Sequence, residues 1–171
     1  MMFVGVFTQR MDAKGRVSVP AAIRQEFDGD PLSLVLVPTF DGNCPSLRIY
    51  PKTIYAEQVQ SQLDTLKRRH AQVSSDTDKA AIVKETNRFL KVAVQNADSV
   101  RLDGIGRFVL NQRIRSALEV DAPAELVFVG TMNHVRVYEI SRWKELDAEL
   151  APTSAEQSSY MTEMDMHWSA S

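Results

Sequence analysis

Two short segments of the chain combine an acid, a glycine and an arginine within five residues. They read DAKGR, from Asp12 to Arg16, and DGIGR, from Asp103 to Arg107. The glycine permits the positive φ of a tight turn between strands, and the aspartate can accept backbone N–H groups within that turn. The arginine would then project from a rigid hairpin with a planar fork of donors, which suits phosphate oxygens and base edges.

These segments belong to a longer internal repeat. Residues 12–24 and 103–115 are identical at five of thirteen positions, where average composition gives about one or none by chance. A repeat exposes what both of its copies need. The shared positions are the acid, the glycine, the first arginine, an isoleucine and a second arginine: Asp12/Asp103, Gly15/Gly106, Arg16/Arg107, Ile23/Ile114 and Arg24/Arg115.

A purely structural interpretation of the loop is also open. A β-turn closed by a local salt bridge uses the same residue types, and an exposed ion pair of this kind contributes about 0–1 kcal/mol. That interpretation leaves the second arginine, Arg24 or Arg115, unexplained at its repeated spacing. Four preserved arginines in two related positions favour phosphate and base contacts over a scaffold role.

Each copy of the repeat predicts a strand, a tight loop, a strand, a short helix, a strand, a turn and a strand. Short runs of β-branched and aromatic residues, separated by Gly, Pro, Asp and Asn, indicate this order. Pro20 and Asn111 stand where the short helices would start, Pro20 as a first helical residue and Asn111 as a cap. Because a small four-stranded unit exposes its edges, we expect the two copies to cover each other in one interleaved body.

The segments around the two copies have a different pattern. Apolar residues at helical intervals predict a hairpin of two helices, over 54–73 and 80–94, with capping residues at 74–76. A polar tail without periodicity predicts disorder. The predicted organisation is module 1 at 6–53, a helical connector at 54–95, module 2 at 96–141, a C-terminal helix at 142–150 and a disordered tail at 151–171.

The charge of the chain is unevenly distributed. The formal net charge is -2, which does not suit a nucleic-acid-binding protein. Residues 142–171 carry two Lys or Arg against six Asp or Glu, so the rest of the chain has a net charge of +2. A local basic face matters more for DNA than the whole-chain sum, and the composition therefore permits DNA binding.

Other classes of function have little support in the sequence. The chain has a single cysteine, Cys44, which excludes an internal disulfide and fits a reducing cytoplasm. Three scattered histidines, His70, His134 and His167, predict no metal site, and Asp28-Gly29-Asp30 predicts a surface turn. Without a phosphate loop or nucleophile motif, we expect neither an enzyme nor a cofactor. No apolar stretch approaches the roughly 18 residues of a membrane span.

Two segments resemble the signature segments of the MraZ family, whose wider relatives are the AbrB-type swapped-hairpin DNA-binding domains. They read FVGVFTQRMDAKGRVSVPAAIR, at 3–24, and NADSVRLDGIGRFVLNQRIR, at 96–115. The intervening helices, LVFVG at 126–130 and Trp143 also look like MraZ, so the resemblance covers roughly residues 1–150. The chain departs from the usual family pattern at Asn111 and at Arg136-Val137-Tyr138.

The resemblance implies a β-rich α+β fold. Its two modules would be tandem AbrB-like swapped hairpins, or double-split β-barrels, that form an intrachain pseudo-dimer. It also implies a bacterial transcriptional regulator of its own division and cell-wall gene cluster. Such a protein would form ring-shaped homo-oligomers that bind promoter direct repeats in double-stranded DNA. We expect it in the cytoplasm, associated with the nucleoid and not with a membrane.

The candidate DNA-binding residues fall into three groups. Arg16 and Arg107 are the first candidates for base or phosphate contact, with the two loop glycines and aspartates as shaping residues. Cations that flank the loops are second-rank, because they could serve an intersubunit interface instead. The shaping and second-rank residues are Asp12, Asp103, Gly15, Gly106, Lys14, Arg10, Arg24, Arg101, Arg113 and Arg115. The alternative function is a ring-forming interaction protein or antitoxin-like module that binds a protein partner.

Overall fold

The structure is a computed structural model that describes residues 2–27 and 33–169. The surface turn predicted at Asp28-Gly29-Asp30 lies outside the described residues, as do the last two residues of the tail. The chain forms two compact units, Met1–Ile140 and Ser141–Ser171. Across the described ranges, none of the helices combines the length and the apolar character needed to cross a membrane.

Eight strands and several helices make the first unit a β-rich α+β structure, as the sequence predicts. The strands are β1 (Val6–Met11), β2 (Arg16–Ser18), β3 (Ser33–Asp41), β4 (Cys44–Pro51), β5 (Asp98–Arg101), β6 (Arg107–Val109), β7 (Ala124–Gly130) and β8 (Val135–Glu139). Six of them form one sheet in the order β1-β7-β8-β4-β3-β5, and β2 pairs with β6 separately. All of these pairs are antiparallel.

The strands of the two repeat copies are exchanged in a pseudo-two-fold pattern. Strand β1 of the first copy pairs with β7 of the second, and β5 of the second copy pairs with β3 of the first. The pairs β2–β6 and β4–β8 join equivalent strands of the two copies. Each copy therefore covers edges that the other would leave exposed.

The hydrophobic core lies where the short helices of the two copies meet the strands. Helices α1 (Ala21–Arg24) and α4 (Gln112–Ala117) bury Ile23 and Ile114 in one cluster with residues of both copies. The Asn111 side chain accepts a hydrogen bond from the backbone N–H of Ile114 at 3.0 Å, which caps α4 as predicted. Pro20 occupies the capping position before α1 instead of the first helical position that the sequence predicts, because its ψ of 137° lies outside the helical region.

A helical hairpin connects the two copies. It consists of α2 (Lys52–Gln72) and α3 (Asp76–Leu90), and α3 continues in a π-helical turn over Lys91–Gln95. Helix α3 begins earlier than the predicted residue 80, because Ser75 caps it by accepting a hydrogen bond from Asp78 N–H at 3.4 Å. The ion pair between Arg69 and Glu85, at 2.9 Å, joins the two helices.

The second unit contains α5 (Ile140–Leu150) and α6 (Ser154–Ser169). Helix α6 lies within residues 151–171, for which the sequence predicts disorder. Its start has a capping box: Glu156 N–H donates to Thr153 Oγ1 at 3.3 Å, and Thr153 N–H donates to Glu156 Oε2 at 2.8 Å. This reciprocal pair satisfies two backbone donors that a helix start otherwise leaves open. The prediction of disorder rested on polarity and on the absence of periodicity, and a single capping pair changes neither.

Candidate nucleic-acid interface

In the first loop, one carboxylate organises the whole turn. Asp12 Oδ1 accepts hydrogen bonds from the backbone N–H groups of Lys14 and Arg16, each at 2.9 Å. Its Oδ2 accepts a bond from Arg16 Nε at 2.7 Å. Gly15 N–H donates to the Asp12 carbonyl at 2.9 Å, and its φ of 77° is the left-handed conformation that glycine adopts without strain.

The second loop repeats this arrangement. Asp103 Oδ1 accepts from the backbone N–H groups of Ile105, at 3.1 Å, and Arg107, at 2.9 Å. Its Oδ2 accepts from Arg107 Nε at 2.9 Å, and Gly106 has a φ of 80°. The two loops have three residues in common: the aspartate, the glycine just before the arginine, and the arginine itself. These three residues therefore determine the turn.

The strands on either side of each loop diverge, which modifies the predicted hairpin. Strands β1 and β2 lie in different sheets, as do β5 and β6. The turn is still closed at its base, because Asp12 N–H donates to the Arg16 carbonyl at 2.9 Å and Asp103 N–H donates to the Arg107 carbonyl at 2.8 Å. Each loop is therefore a tight corner between two sheets.

The hydrogen bonds also fix the ionisation of both aspartates. The backbone N–H of Arg16 is the largest influence that holds the pKa of Asp12 below its ordinary value, and the Arg16 side chain adds to it. The backbone N–H of Arg107 lowers the pKa of Asp103 in the same way. Both carboxylates are consequently charged at neutral pH and remain acceptors for their arginines.

Each arginine keeps most of its donors available. Arg16 and Arg107 bond to their aspartates through Nε, and their side chains are 40% and 35% exposed. Within the described residues, their terminal nitrogens have no hydrogen-bond acceptor. A guanidinium held at one nitrogen and open at two others is oriented in advance for a bidentate acceptor.

The pairing of β2 with β6 brings both arginines to one surface. Val17 lies opposite Phe108 in this pair, and both side chains are buried. Since side chains alternate across a strand, the neighbouring Arg16 and Arg107 share the outer face of the two-stranded sheet. They are offset by two residues along the ladder, or about 7 Å at the usual rise per residue.

The second arginine of each copy holds the loop of the other copy. Arg24 Nη1 donates to the carbonyl of Ile105 at 2.7 Å, and the Arg115 guanidinium lies against Gly15. Backbone bonds reinforce the contact: Val19 N–H donates to the Gly106 carbonyl at 2.9 Å, and Leu110 N–H donates to the Gly15 carbonyl at 2.8 Å. We call this reciprocal contact the loop clamp.

Comparisons with known proteins identify the family of the chain. A family model described as "MraZ protein, putative antitoxin-like" matches residues 2–76. A protein named Transcriptional regulator MraZ, from Pseudomonas syringae pv. syringae (strain B728a), is 30% identical over 151 residues, which span 88% of this chain and 89% of the relative. The chain belongs to the MraZ family. A relative with the same name from Pseudomonas putida (strain GB-1) is 29% identical over 147 residues, 86% of each chain.

The remaining candidate cations of this MraZ-family chain differ in whether their side chains contact other groups of the chain. Arg113 is engaged within the chain, because its Nη1 donates to the Asn96 carbonyl at 2.8 Å and its Nη2 lies 3.5 Å from Asp98 Oδ2. Arg24 and Arg115 form the loop clamp. Arg10, Lys14 and Arg101 are exposed, and within the described residues their side chains form no ion pair.

A second polar cluster lies outside the two loops, and the sequence did not predict it. Asp41 accepts a hydrogen bond from the Tyr138 hydroxyl at 2.8 Å, and it pairs with Arg136 at 3.0 Å and Arg48 at 3.9 Å. Burial alone would raise the pKa of Asp41, but the hydrogen bonds and guanidinium groups outweigh it and lower that pKa. The repeated Arg-x-Tyr of β4 and β8 is the sequence signal that could have indicated the cluster.

His134 completes this cluster as a neutral ring. Arg136 Nε donates to His134 Nε2 at 3.4 Å, and Nδ1 lies 2.8 Å from Asn133 Oδ1, so the proton belongs on Nδ1. The ring stacks on Tyr50 with centroids 5.0 Å apart. Burial, followed by the charges of Arg48 and Arg136, lowers the pKa of His134 to about 4.

Proposed function

We propose that this chain is a sequence-specific DNA-binding transcriptional regulator that controls its own division and cell-wall gene cluster. The observation that carries the proposal is the shared outer face of β2 and β6, on which Arg16 and Arg107 are each held by an aspartate. The names of the relatives, Transcriptional regulator MraZ, support a role in transcription. None of these residues is proposed as a catalyst.

In this proposal the two loops contact DNA through groups that are already in place. The bond from Nε to aspartate restricts each guanidinium before binding, so less side-chain entropy is lost on contact. The terminal nitrogens then donate to guanine or to phosphate oxygens. Gly15 and Gly106 shape the loops, and the exposed cations contact the flanking phosphates. These cations are Arg10, Lys14 and Arg101.

We further propose that the two repeats form a tandem AbrB-like swapped-hairpin pseudo-dimer, supported by the exchange of β1 and β5 between the copies. Homo-oligomers, arranged as a ring, would present several such faces along promoter direct repeats. Linked sites gain affinity through effective concentration, so each face needs few phosphate contacts despite the net charge of -2. We propose that the protein acts in the cytoplasm, associated with the nucleoid.

Removing one loop arginine tests the proposal directly. We expect Arg16→Ala and Arg107→Ala each to weaken binding to the DNA upstream of the gene by about 5–100-fold, the effect of losing one guanidinium contact to DNA. Fluorescence anisotropy measures the affinity, and Arg88→Ala serves as the control, since Arg88 is exposed on α3. Parent-like affinity of both loop variants would mean that the loops are structural.

A salt series separates DNA binding from the alternative function. The affinity of the parent should fall steeply as salt rises, because phosphate contacts release counterions. Each loop variant should show a shallower dependence than the parent. A flat response of the parent would favour the antitoxin-like module that binds a protein partner.

A further inference from the structure

The C-terminal half of α6 exposes a small group of apolar side chains. All residues from 151 to 166 are exposed, including Tyr160, Met161 and Met164, at 65%, 51% and 58%. At about 100° per residue, these three side chains lie on one side of the helix, whereas Met166 lies on the opposite side. A 16-residue helix gains little stability from its own hydrogen bonds in water, and grouped exposed apolar side chains are typical of an interaction surface.

The polar residues around that face are acidic. Residues 151–171 contain Glu156, Glu163 and Asp165 and no lysine or arginine. The same helical spacing places the two glutamates along one border of the apolar face and Asp165 along the other. A surface that covers α6 should therefore be an apolar groove with a basic rim.

The helical hairpin provides such a groove. A cavity of about 280 Å³ opens between α2 and α3, with an apolar lining that includes Leu63, Leu66, Ile82 and Val83. Val83 is 48% exposed, so the groove is accessible to another molecule. Its remaining lining residues include Lys67 and His70 and no acid. The basic run from Lys67 to His70 continues along this end of α2, where Lys67 lies 3.8 Å from Asp64 and Arg69 lies 2.9 Å from Glu85.

We propose that α6 of one copy docks in the α2–α3 groove of a second copy, with the Tyr160, Met161 and Met164 face against the apolar lining. The acidic borders of α6 then lie beside the basic end of α2. The inference rests on the proposed homo-oligomer and adds a named contact to it, without depending on the DNA-binding loops.

The proposed contact is heterologous, because the helix and the groove are different surfaces. Each copy can therefore insert α6 into the groove of one neighbour and bind α6 of another neighbour in its own groove. Repeated around a closed rotation, such an interface makes a ring, and otherwise it makes an open filament. The contact therefore suits the proposed ring better than an isolated two-fold dimer.

Disulfide trapping between separately tagged chains tests the contact. In a Cys44→Ser background, one full-length chain carries Met164→Cys and the other carries Val83→Cys, so that each has a single thiol. We expect mild oxidation to trap mixed dimers at least tenfold more efficiently than in a matched pair that carries Met166→Cys instead of Met164→Cys. Both methionines are similarly exposed, at 58% and 61%, and only Met164 lies on the proposed face.

The outcomes separate this contact from the homo-oligomer itself. Equal trapping of Met164→Cys and Met166→Cys would overturn the docking, as would an intrachain bond that forms in preference when both thiols are in one chain. Sedimentation velocity of Met164→Glu supplies the second measurement, with at least a tenfold weaker association expected than for Met166→Glu. If both variants assemble like the parent, the oligomer stands and this contact fails. If the parent itself is monomeric at all concentrations, both proposals fail.

Discussion

Gly106→Ala is expected to lower the free energy of unfolding by about 2–4 kcal/mol, from left-handed backbone strain and a disrupted charged hydrogen bond. The φ of Gly106 is 80°, and an added Cβ would lie 2.8 Å from Arg24 Cδ and collide with the Arg24 guanidinium. Arg24 would have to leave the Ile105 carbonyl, which opens the loop clamp. Urea unfolding followed by circular dichroism measures the change.

Gly104→Ala is the matched control in the same loop. Gly104 has no positive φ, and apart from Gly104 and its two chain neighbours, no atom of the described residues lies within 4 Å of the position its Cβ would take. Its replacement should be neutral, or stabilising by about 0.4–1 kcal/mol through the unfolded state. Equal effects of the two substitutions would show that the conformation of Gly106 and its contact with Arg24 do not matter.

Acidification from pH 7 to pH 4 is expected to remove about 3 kcal/mol of stability through His134. The pKa of His134 is lowered from 6.5 to about 4 in the folded protein. Between these two values the unfolded chain binds more protons than the folded one, so stability falls as pH falls. The side chain is 9% exposed and lies beside Arg48 and Arg136, with Asp41 as the opposing charge.

His134→Gln isolates this effect, because glutamine does not titrate. Urea unfolding at several pH values between 4 and 7 should show a much smaller loss of stability for the variant than for the parent. The carboxylates of Asp12, Asp41 and Asp103 have lowered pKa values and remain largely ionised across this range. A parallel pH dependence of parent and variant would assign the loss to other groups.

The DxxGR loops were predictable because their geometry is local. The aspartate bonds to backbone groups two and four residues away, and the glycine needs only its own φ. The loop clamp was not predictable, because Arg24 reaches a carbonyl 81 residues away, in the other copy. The repeated spacing of Arg24 and Arg115 signalled a shared role, but only strand exchange reveals that each arginine serves the opposite loop.

Two other features depended on information that a pattern of residue types does not carry. The Asp41 cluster forms because β4 pairs with β8 and brings Arg48 opposite Arg136, and no local motif contains that register. Helix α6 depends on the reciprocal bonds of Thr153 and Glu156, whereas its composition is typical of a disordered tail. The long-range strand register and the single capping pair were thus the features that residue patterns could not predict.

Strand exchange inside a single chain allows the two loops to differ, which identical subunits could not do. Lys14 in the first loop corresponds to Ile105 in the second, and Ile105 is 63% exposed. The loop of Arg16 therefore contributes a lysine, whereas the loop of Arg107 contributes an aliphatic side chain. In the proposed DNA complex, two unlike loops would distinguish the two directions along a double helix, which direct repeats require and a palindromic site does not.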